Sequence, residues 1–562
     1  MAKIDRIFTI YTLLFFAGGL YMFFLFEKQV LDHKSYASKA EEQSISTSAT
    51  PAQRGQILAK DRDGKYYSLA ASEWQYSLLI TPRSVKDKKK LLELLKEDLP
   101  QLNIEEVYSK INNDKVYVPA ILDNLTTETA SKIKEKDYRG VTLQPRVVRV
   151  YPEADKIAAQ IMGFVGADGK GKYGVEAIYD NELSGKSGSE TVRNDAFGKL
   201  ISILGVRDSV NGNDIVLTID YNLQYVVEQE LLKTIKDFKA ERGSVLVMDP
   251  KTGAIIAAAS QPTFDPNNYN KLSGEEQSRF LLSAASNIYE PGSVIKPITM
   301  SMALNEKLVK SDTQHNAGAE VEVLGYKITN AEDKAFGNET MTEVLVNSDN
   351  VQMVWVSSLI GAKKEREYFE KFGLGSKTNI DIIGEQSGRL PPEKEWNDLL
   401  RSTAAFGQGI SATVVQLAKM YSTLANGGIS VNPYIVQSTI QNGKEIVIER
   451  KTSGEQIISK EVSAEIKQML KAVIENFGKK RVSVPGVTVA GKTGTAQIPS
   501  PDGGYYKNKY IGTFAGFFPV EDPKYVMVVR IDSPKTAQFA SAFVAPTFER
   551  IANWMANYYK LR

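Results

Sequence analysis

The chain of 562 residues contains no cysteine and only two histidines, His33 and His315. The absence of cysteine excludes disulfides, thiol catalysis and cysteine-ligated metals. With only two histidines, a multi-histidine metal site is not expected, and a Ser-His-Asp triad would have to use one of them. Both lie in segments that favour plain surface positions. No metal or other cofactor is therefore expected.

The chain also has little net charge, with 69 Lys and Arg against 67 Asp and Glu, a formal balance of +2. Such a balance gives no reason to expect nucleic acid as a partner. Apolar residues make up 42% of the chain and charged residues 24%, which is enough for a sizeable core. The length predicts several domains.

Long apolar runs are also scarce: residues 7–26 form the only one. A helix of this length spans the roughly 30 Å hydrocarbon core of a bilayer. Lys3 and Arg6 precede it, so residues 1–6 are predicted to be a cytoplasmic tail, and everything after Glu27 to lie outside. A cleaved signal peptide is the alternative. The run is longer than a usual signal core and no small-x-small site follows it directly, which favours an uncleaved anchor.

The rest of the chain divides by composition and pattern. Residues 27–52 are predicted to be a stalk, whose part 41–52 is rich in Ser, Thr, Gln and Ala and is typical of an extended linker. Residues 53–212 mix strand and helix patterns without a catalytic motif, which indicates a spacer or docking domain. Residues 213–562 combine helices with antiparallel hairpins and predict an α+β domain. Its clearest predicted elements are strand 215–219, helix 221–238, hairpins 244–248/254–259 and 510–518/525–531, and a final helix from Thr547.

The first chemical motif places Ser293 three residues before Lys296. Pro291 and Gly292 interrupt the preceding chain and the apolar run 298–304 follows, so Ser293 is predicted at a helix N-terminus, with Lys296 one turn later on the same face. A serine hydroxyl needs a base to become a nucleophile. A lysine can serve if burial or nearby positive charge keeps it neutral.

Two further motifs follow in order, Ser348-Asp349-Asn350 and Lys492-Thr493-Gly494-Thr495. Each is ambiguous alone: the former is typical of a turn or helix cap, and the latter is predicted on a strand whose glycine allows close approach of a ligand. Their order after Ser-x-x-Lys within one domain is far more specific than any single motif. Chance copies of parts of these motifs, predicted to be structural, occur at 131–134, 209–211, 251–253 and 430–432.

These residues resemble the penicillin-binding protein and serine β-lactamase superfamily, and their surroundings are similar to class B penicillin-binding proteins. Within that class the version most similar is the division-type (septal) peptidoglycan D,D-transpeptidase. The stretches that carry the resemblance are 54–57, 149–152, 174–176, 289–293, 406–413, 424–428 and 491–497.

The resemblance implies an architecture and a set of roles. Residues 53–212 would be a pedestal, or dimerisation-like, domain and residues 213–562 a transpeptidase domain with an antiparallel sheet flanked by helices. Ser293 would attack the D-Ala-D-Ala carbonyl of a stem peptide, with Lys296 as base and Ser348 as the route of the proton to the leaving group.

The same resemblance implies the substrate contacts. Asn350 would hold the substrate amide, Lys492 would add positive potential, and Thr493 and Thr495 would bind the terminal carboxylate. Gly494 belongs to this substrate-binding strand, and the backbone N–H groups of Ser293 and Thr495 would form an oxyanion hole. Arg54, Arg149 and Glu176 are expected to form interior ion pairs between pedestal and catalytic domain.

Several alternatives remain open at this point. The elongation-type transpeptidases are the nearest, and a D,D-carboxypeptidase or β-lactamase would release the acyl group to water. From a different class, the chain could be mainly a structural partner in a wall-synthesis complex. The implied partners are peptidoglycan stem peptides, β-lactam antibiotics, a polytopic membrane glycosyltransferase and divisome proteins.

Overall fold

The computed structural model describes residues 2–112, 121–152, 156–194, 200–451, 453–476, 482–500, 504–537 and 539–561. The chain forms two compact units that do not follow its linear order. The smaller unit consists of Met1–Gln53, Gln75–Val147 and Gly185–Gly212, and the larger of Arg54–Trp74, Val148–Ser184 and Asn213–Arg562.

The smaller unit begins with the helix Ala2–Phe26, which continues into the π-turn Glu27–Leu31. Residues Arg6–Leu31 are long and apolar enough to cross a membrane, and none of the apolar window is buried. Large apolar side chains of this helix are exposed, Phe15 by 80%. The apolar helix predicted at 7–26 is confirmed as a helix of spanning length.

Regular structure covers most of residues 27–50, so the predicted extended linker is wrong from 41 to 50. The helix His33–Ser44 leads into the strand Ile45–Thr50. This strand pairs antiparallel with Gly188–Asn194, which pairs in turn with Leu200–Arg207. The backbone partners of the strand Ile45–Thr50 lie about 140 residues further along the chain. Because the local composition of a segment carries no record of such a distant partner, the strand could not be predicted from residues 41–52 alone.

The remainder of the smaller unit packs helices against a short sheet. Leu122–Thr126 pairs with the end of the strand Tyr66–Ile80, and Val141–Val150 also pairs with that strand. Leucines and isoleucines at helical spacing form the core beneath. The helices are Lys88–Asp98, Ile104–Ile111 and Thr127–Glu135.

The larger unit is built on a five-stranded antiparallel sheet. In the strand Arg242–Met248, successive residues point to opposite faces of the sheet, as the pleat requires. Val245 and Val247 belong to one apolar cluster, and Leu246 and Met248 belong to the other. The sheet is therefore buried on both sides, and the predicted α+β fold is confirmed. In spatial order its strands are Ile255–Gln261, Arg242–Met248, Tyr525–Asp532, Tyr505–Phe518 and Ala490–Pro499.

Helices cover both faces of this sheet. Tyr221–Phe238 and Val544–Tyr558 contribute to the cluster on one face. Lys296–Asn305, Val414–Ala425 and Lys460–Asn476 contribute to the cluster on the other. The second of these faces carries the motif residues.

Shorter elements complete the larger unit. The other helices are Ala159–Met162, Gly174–Ile178, Asp180–Ser184, Ser283–Ser286, Met341–Asn347, Asn350–Ile360, Ala362–Lys371 and Asp398–Ala404. The other strands are Ile57–Lys60, Phe164–Val165, Gly171–Lys172, Asp214–Asp220, Gln314–Ala317, Glu320–Val323, Tyr326–Thr329, Gly337–Thr340, Ile429–Val431, Val436–Gln441, Lys444–Val447 and Ser453–Gln456.

A buried ion-pair network lies within the larger unit. The fully buried Glu176 accepts from Arg54 Nε at 2.6 Å and from Arg149 Nε at 2.7 Å. Arg54 also binds Asp180 at 2.7 Å. The ion pairs predicted among Arg54, Arg149 and Glu176 are confirmed, but the three residues lie in one unit, so a link between pedestal and catalytic domain remains a prediction. Because a buried carboxylate is costly without partners, two arginines on one glutamate are a physically reasonable arrangement.

Candidate active site

Ser293 lies in the 3₁₀ turn Gly292–Ile295, which leads directly into the helix Lys296–Asn305. Gly292 has φ +64°, a conformation that favours glycine, and its N–H donates to Gly407 O at 3.1 Å. The Ser293 side chain is half-buried, whereas its neighbours Val294 and Ile295 are fully buried. The predicted position of Ser293 at a helix N-terminus is confirmed.

Lys296 is fully buried, and its ammonium group faces the second motif. Nζ lies 2.7 Å from Asn350 Oδ1, 3.2 Å from Ser348 Oγ and 2.5 Å from Ser348 O. Burial, together with the positive charge of Lys492, holds the pKa of Lys296 well below its usual value. The structure thus joins the first two motifs through one lysine whose neutral form is favoured.

The second motif forms a sharp corner between the helices Met341–Asn347 and Asn350–Ile360. Ser348 adopts the left-handed conformation, with φ +59°. Asp349 is 1% exposed and caps the second helix, its Oδ1 accepting from Gln352 N at 2.7 Å. Asp349 therefore has a structural contact, while Ser348 and Asn350 turn towards Lys296.

The third motif lies on the edge strand Ala490–Pro499. Gly494 lies against the Ser293 turn: a Cβ there would lie 2.8 Å from Pro291 O and 3.2 Å from Val294 N. Lys492 is 2% exposed, and burial lowers its pKa to about 8. The strand can approach the turn this closely only because residue 494 has no side chain.

The two threonines of this strand are more accessible than its lysine. Thr493 is half-buried and Thr495 is exposed, with its Oγ1 accepting from Ala540 N at 3.2 Å. By the alternation of a strand they lean away from the face that carries Lys492 and Gly494. Ala490–Pro499 is the last strand of the sheet, and it lies directly beside the Ser293 turn.

The remaining motif copies lie elsewhere. Ser131 and Lys134 are exposed on the helix Thr127–Glu135 of the smaller unit. Lys251 is exposed in the turn between two strands of the main sheet, 2.6 Å from Asp522. Both copies lie on the surface and form no part of the Ser293 turn, which agrees with the prediction that they have no catalytic role.

Comparison with known families matches two models to the chain. Residues 243–553 match the penicillin binding protein transpeptidase domain, and residues 49–217 match the penicillin-binding protein dimerisation domain. The chain belongs to the class B penicillin-binding proteins.

Curated relatives of this penicillin-binding protein extend over most of its length. Stage V sporulation protein D of Bacillus subtilis is 33% identical over 88% of this chain and 76% of the relative. The peptidoglycan D,D-transpeptidase FtsI of Escherichia coli is 29% identical over 93% and 86%. Among solved structures, penicillin binding protein 3 of Mycobacterium tuberculosis in complex with aztreonam has a TM-score of 0.70 and 26% identity, covering 92% of this chain and 98% of that one.

The site of this penicillin-binding protein also contains residues that sequence reasoning missed. Asn330 bridges the second motif, donating to Asp349 at 2.9 Å and accepting from the backbone N–H of Asn350 at 2.6 Å. Tyr421 donates its hydroxyl to Val294 O at 2.8 Å behind the Ser293 turn. Neither residue lies in a motif, and no local pattern could have singled them out.

His315 is a further correction, because it is not a plain surface residue. Its ring stacks on Trp355 with centroids 3.9 Å apart, and Nδ1 lies 2.7 Å from Gln352 Oε1. The ring is half-buried beside the helix that follows the second motif. Only the tertiary pairing of distant segments brings Trp355 to it.

Proposed function

We propose that this chain is a division-type peptidoglycan D,D-transpeptidase that acts through an acyl-enzyme on Ser293. The observation that carries the proposal is the buried Lys296, one turn after Ser293 and bound to Ser348 and Asn350. A lysine with a strongly lowered pKa can accept a proton at neutral pH, which an ordinary surface lysine cannot do.

Acylation would proceed as follows. Ser293 Oγ attacks the carbonyl of the penultimate D-Ala and passes its proton to the neutral Lys296 Nζ. The C–N bond to the terminal D-Ala breaks, and its nitrogen takes a proton through Ser348. The Lys296–Ser348 contact of 3.2 Å supports this last transfer.

Transfer would then regenerate the enzyme. The amine of a neighbouring stem peptide attacks the ester carbonyl, forms the new amide and releases Ser293, which regains its proton. Backbone N–H groups of Ser293 and Thr495 would stabilise the oxyanion. Gly494 lies against the Ser293 turn, which supports one oxyanion hole formed by that turn and the strand Ala490–Pro499.

The substrate would lie along the open edge of the strand Ala490–Pro499. Asn350 would hold its amide, and Lys492 would supply positive potential to its terminal carboxylate, which Thr493 and Thr495 would bind. The exposure of Thr495 supports this placement. A β-lactam would occupy the same edge; structures of the Mycobacterium tuberculosis relative are described as complexes with aztreonam and ampicillin.

The decisive experiment is intact-mass measurement and peptide mapping after incubation with ampicillin. We expect one adduct, located on Ser293, that Ser293→Ala abolishes. Ser131→Ala, which alters the exposed Ser-x-x-Lys copy, is the matched control and should label normally. An adduct elsewhere, or its persistence in Ser293→Ala, contradicts the assignment.

The fate of the adduct separates a transferase from a hydrolase. A β-lactamase releases the acyl group to water rapidly, whereas a transpeptidase awaits an amine. We expect the ampicillin adduct on the wild-type chain to persist for hours after excess drug is removed. Loss within seconds would assign the chain to the hydrolases instead.

We further propose that the chain is a single-pass membrane protein with a cytoplasmic N-terminus, partnered with a polytopic membrane glycosyltransferase and divisome proteins. Lys3 and Arg6 before the apolar span support this orientation. Because the chain has no cysteine, one introduced thiol reports its side of the membrane. Lys251→Cys should react with an impermeant maleimide on intact cells, and Lys3→Cys should not. Labelling of Lys3→Cys alone would show that the N-terminus lies outside and would contradict the proposed orientation.

A further inference from the structure

Thr513 and Arg530 form a buried polar row on the face of the main sheet that carries the motif residues. In the antiparallel pairing Gly494 lies opposite Thr513, and Thr513 lies opposite Arg530. Thr513 is 1% exposed and Arg530 is 5% exposed. Ile511 and Ala515, which alternate with Thr513 along its strand, belong to the apolar cluster on that face. Buried polar groups are normally hydrogen-bonded, so the partners of this row show what it holds.

Tyr289, which lies four residues before Ser293, is a partner of this polar row. Thr513 Oγ1 donates to Tyr289 Oη at 3.0 Å. The Arg530 guanidinium lies over the tyrosine ring, with Cζ 4.1 Å from the ring centroid, and its Nη1 donates to Asn287 O at 3.0 Å. Tyr289 is itself only 5% exposed. The chain that leads into the Ser293 turn is therefore bound to two strands of the sheet.

Two further contacts restrict the Tyr289–Arg530 pair. Asp532, which is 6% exposed, accepts from Arg530 Nε and Nη2 at 2.8 Å each, in a bidentate ion pair that fixes the guanidinium and neutralises its charge. On the tyrosine side, the N–H of Tyr289 donates to Ala412 O at 3.1 Å, and its O accepts from Ala412 N at 2.9 Å. The tyrosine hydroxyl is therefore held at a defined point above the sheet.

The hydroxyl of Tyr289 acts beside a close contact between the turn and the edge strand Ala490–Pro499. At that contact, a Cβ on Gly494 would lie 2.8 Å from Pro291 O. Since Gly494 lies opposite Thr513 in the sheet, the hydrogen bond and the contact attach the turn at adjoining points. Together they set the gap between turn and strand, across which the two N–H groups of the proposed oxyanion hole would meet the substrate oxygen.

We propose that Tyr289 is a positioning residue whose hydroxyl, bound to Thr513, holds the Ser293 turn at the distance from the edge strand that the oxyanion hole requires. The inference rests on the proposed function, since it concerns the reactivity of Ser293, and it assigns Tyr289 no contact with substrate. Complete removal of one oxyanion-hole donor slows acyl transfer about 10²- to 10³-fold. Loss of the Tyr289 hydroxyl shifts the donors without removing them, so the expected slowing is smaller, about three- to tenfold.

The test is stopped-flow acylation by a fluorescent penicillin over a range of concentrations. Such a series separates the dissociation constant of the initial complex from the first-order rate of acylation. Tyr289→Phe keeps the ring beside Arg530 and removes the hydroxyl. Its acylation rate should fall about three- to tenfold while the dissociation constant stays unchanged, because negative charge on the oxygen develops only in the transition state.

A second variant asks whether the hydroxyl acts through Thr513. Thr513→Val removes the other half of the hydrogen bond at nearly constant shape and should also slow acylation. The double variant Tyr289→Phe/Thr513→Val should be no slower than the slower single variant, since the two hydroxyls share one bond. Losses that multiply in the double variant would show that the two hydroxyls act separately and would contradict the proposal.

Tyr368 supplies the matched control for a purely structural effect. It is also 5% exposed, and its hydroxyl donates to Glu306 Oε1 at 2.6 Å and accepts from Asn305 Nδ2 at 2.8 Å. Tyr368→Phe therefore removes a buried, hydrogen-bonded hydroxyl in the same way as Tyr289→Phe. It should leave the acylation rate unchanged, and thermal unfolding shows that both variants are folded.

Binding of a peptide boronic acid gives a readout specific to the oxyanion hole. Its tetrahedral adduct on Ser293 would place an oxygen in that hole, so Tyr289→Phe should weaken its affinity by about the factor by which it slows acylation. An unchanged acylation rate or boronate affinity in folded Tyr289→Phe would overturn the role of Tyr289, as would an equal slowing in Tyr368→Phe. If the wild type is not acylated at Ser293 at all, the proposed function fails instead.

Discussion

At the scale of single residues, the environment of Lys296 decides its chemistry. A guanidinium is always protonated, so Lys296→Arg keeps a long side chain with N–H donors but removes the base. We expect acylation by penicillin to fall about 10²- to 10⁴-fold, the usual contribution of general-base catalysis. Stopped-flow or gel measurement of labelling gives the rate. Lys134→Arg, in the exposed motif copy, should leave it unchanged; a Lys296→Arg variant as fast as the wild type would exclude the lysine as base.

Glu365 is a second residue whose burial has a measurable consequence. Neither carboxyl oxygen has a hydrogen-bond donor among the described residues, and burial raises the pKa to about 8. Because the folded pKa exceeds the ordinary 4.5, this group stabilises the fold below pH 4.5 relative to higher pH, and that contribution is lost as pH rises towards 8.

Glu365→Gln should remove this pH dependence. The free energy of unfolding should be measured with denaturant at pH 5 and at pH 7. Between these two pH values the wild type should lose up to about 3 kcal/mol more of this free energy than the variant does. Glu370→Gln on the same helix, with an exposed side chain, serves as control. Parallel stability curves for the wild type and Glu365→Gln would show that Glu365 does not titrate in this range.

At the scale of elements, the Ser293 turn depends on a glycine far away in sequence. Gly407 has φ +85°, and a Cβ there would lie 2.3 Å from Gly292 O and 2.6 Å from Gly292 N. Gly407→Ala should displace the turn, reducing acylation by at least tenfold and stability by about 1–3 kcal/mol. Gly427→Ala shares the strain, at φ +90°, but among the described residues only Lys460 Cγ lies within 4 Å of the added Cβ, at 3.6 Å. Gly427→Ala should lose stability and keep its acylation rate. Equal acylation rates in Gly407→Ala and Gly427→Ala would contradict a specific role for the contact between Gly407 and Gly292.

At the scale of the whole molecule, the Arg54–Glu176–Arg149 network ties together segments distant in sequence. Arg149→Ala leaves the buried Glu176 with one arginine, which should cost about 3–5 kcal/mol of unfolding free energy. Arg146→Ala breaks an exposed pair with Asp123 and a long, 3.4 Å hydrogen bond to Ser77 Oγ, and it should cost less than about 1 kcal/mol. Thermal or denaturant unfolding gives the free energy of unfolding of both variants. Similar losses in the two would mean that burial of the ion pair adds nothing to stability.

The sequence by itself determined the elements whose signal is local. The apolar period of Tyr221–Phe238, the hairpins around Asp249 and Asp522, and the Pro-Gly entry before Ser293 each predict their structure, since side-chain period and turn chemistry act over a few residues. The three motifs, in their order, likewise indicated the chemistry of the site.

Only the tertiary structure decided the environment of those residues. Burial makes Lys296 and Lys492 unusually acidic, and burial depends on helices and strands up to 200 residues apart. The strand Ile45–Thr50 forms because a distant strand pairs with it, and Asn330 reaches Asp349 and Asn350 from a segment that no motif marks. Hydrogen bonding and desolvation act between neighbours in space, whereas a single sequence records only neighbours along the chain.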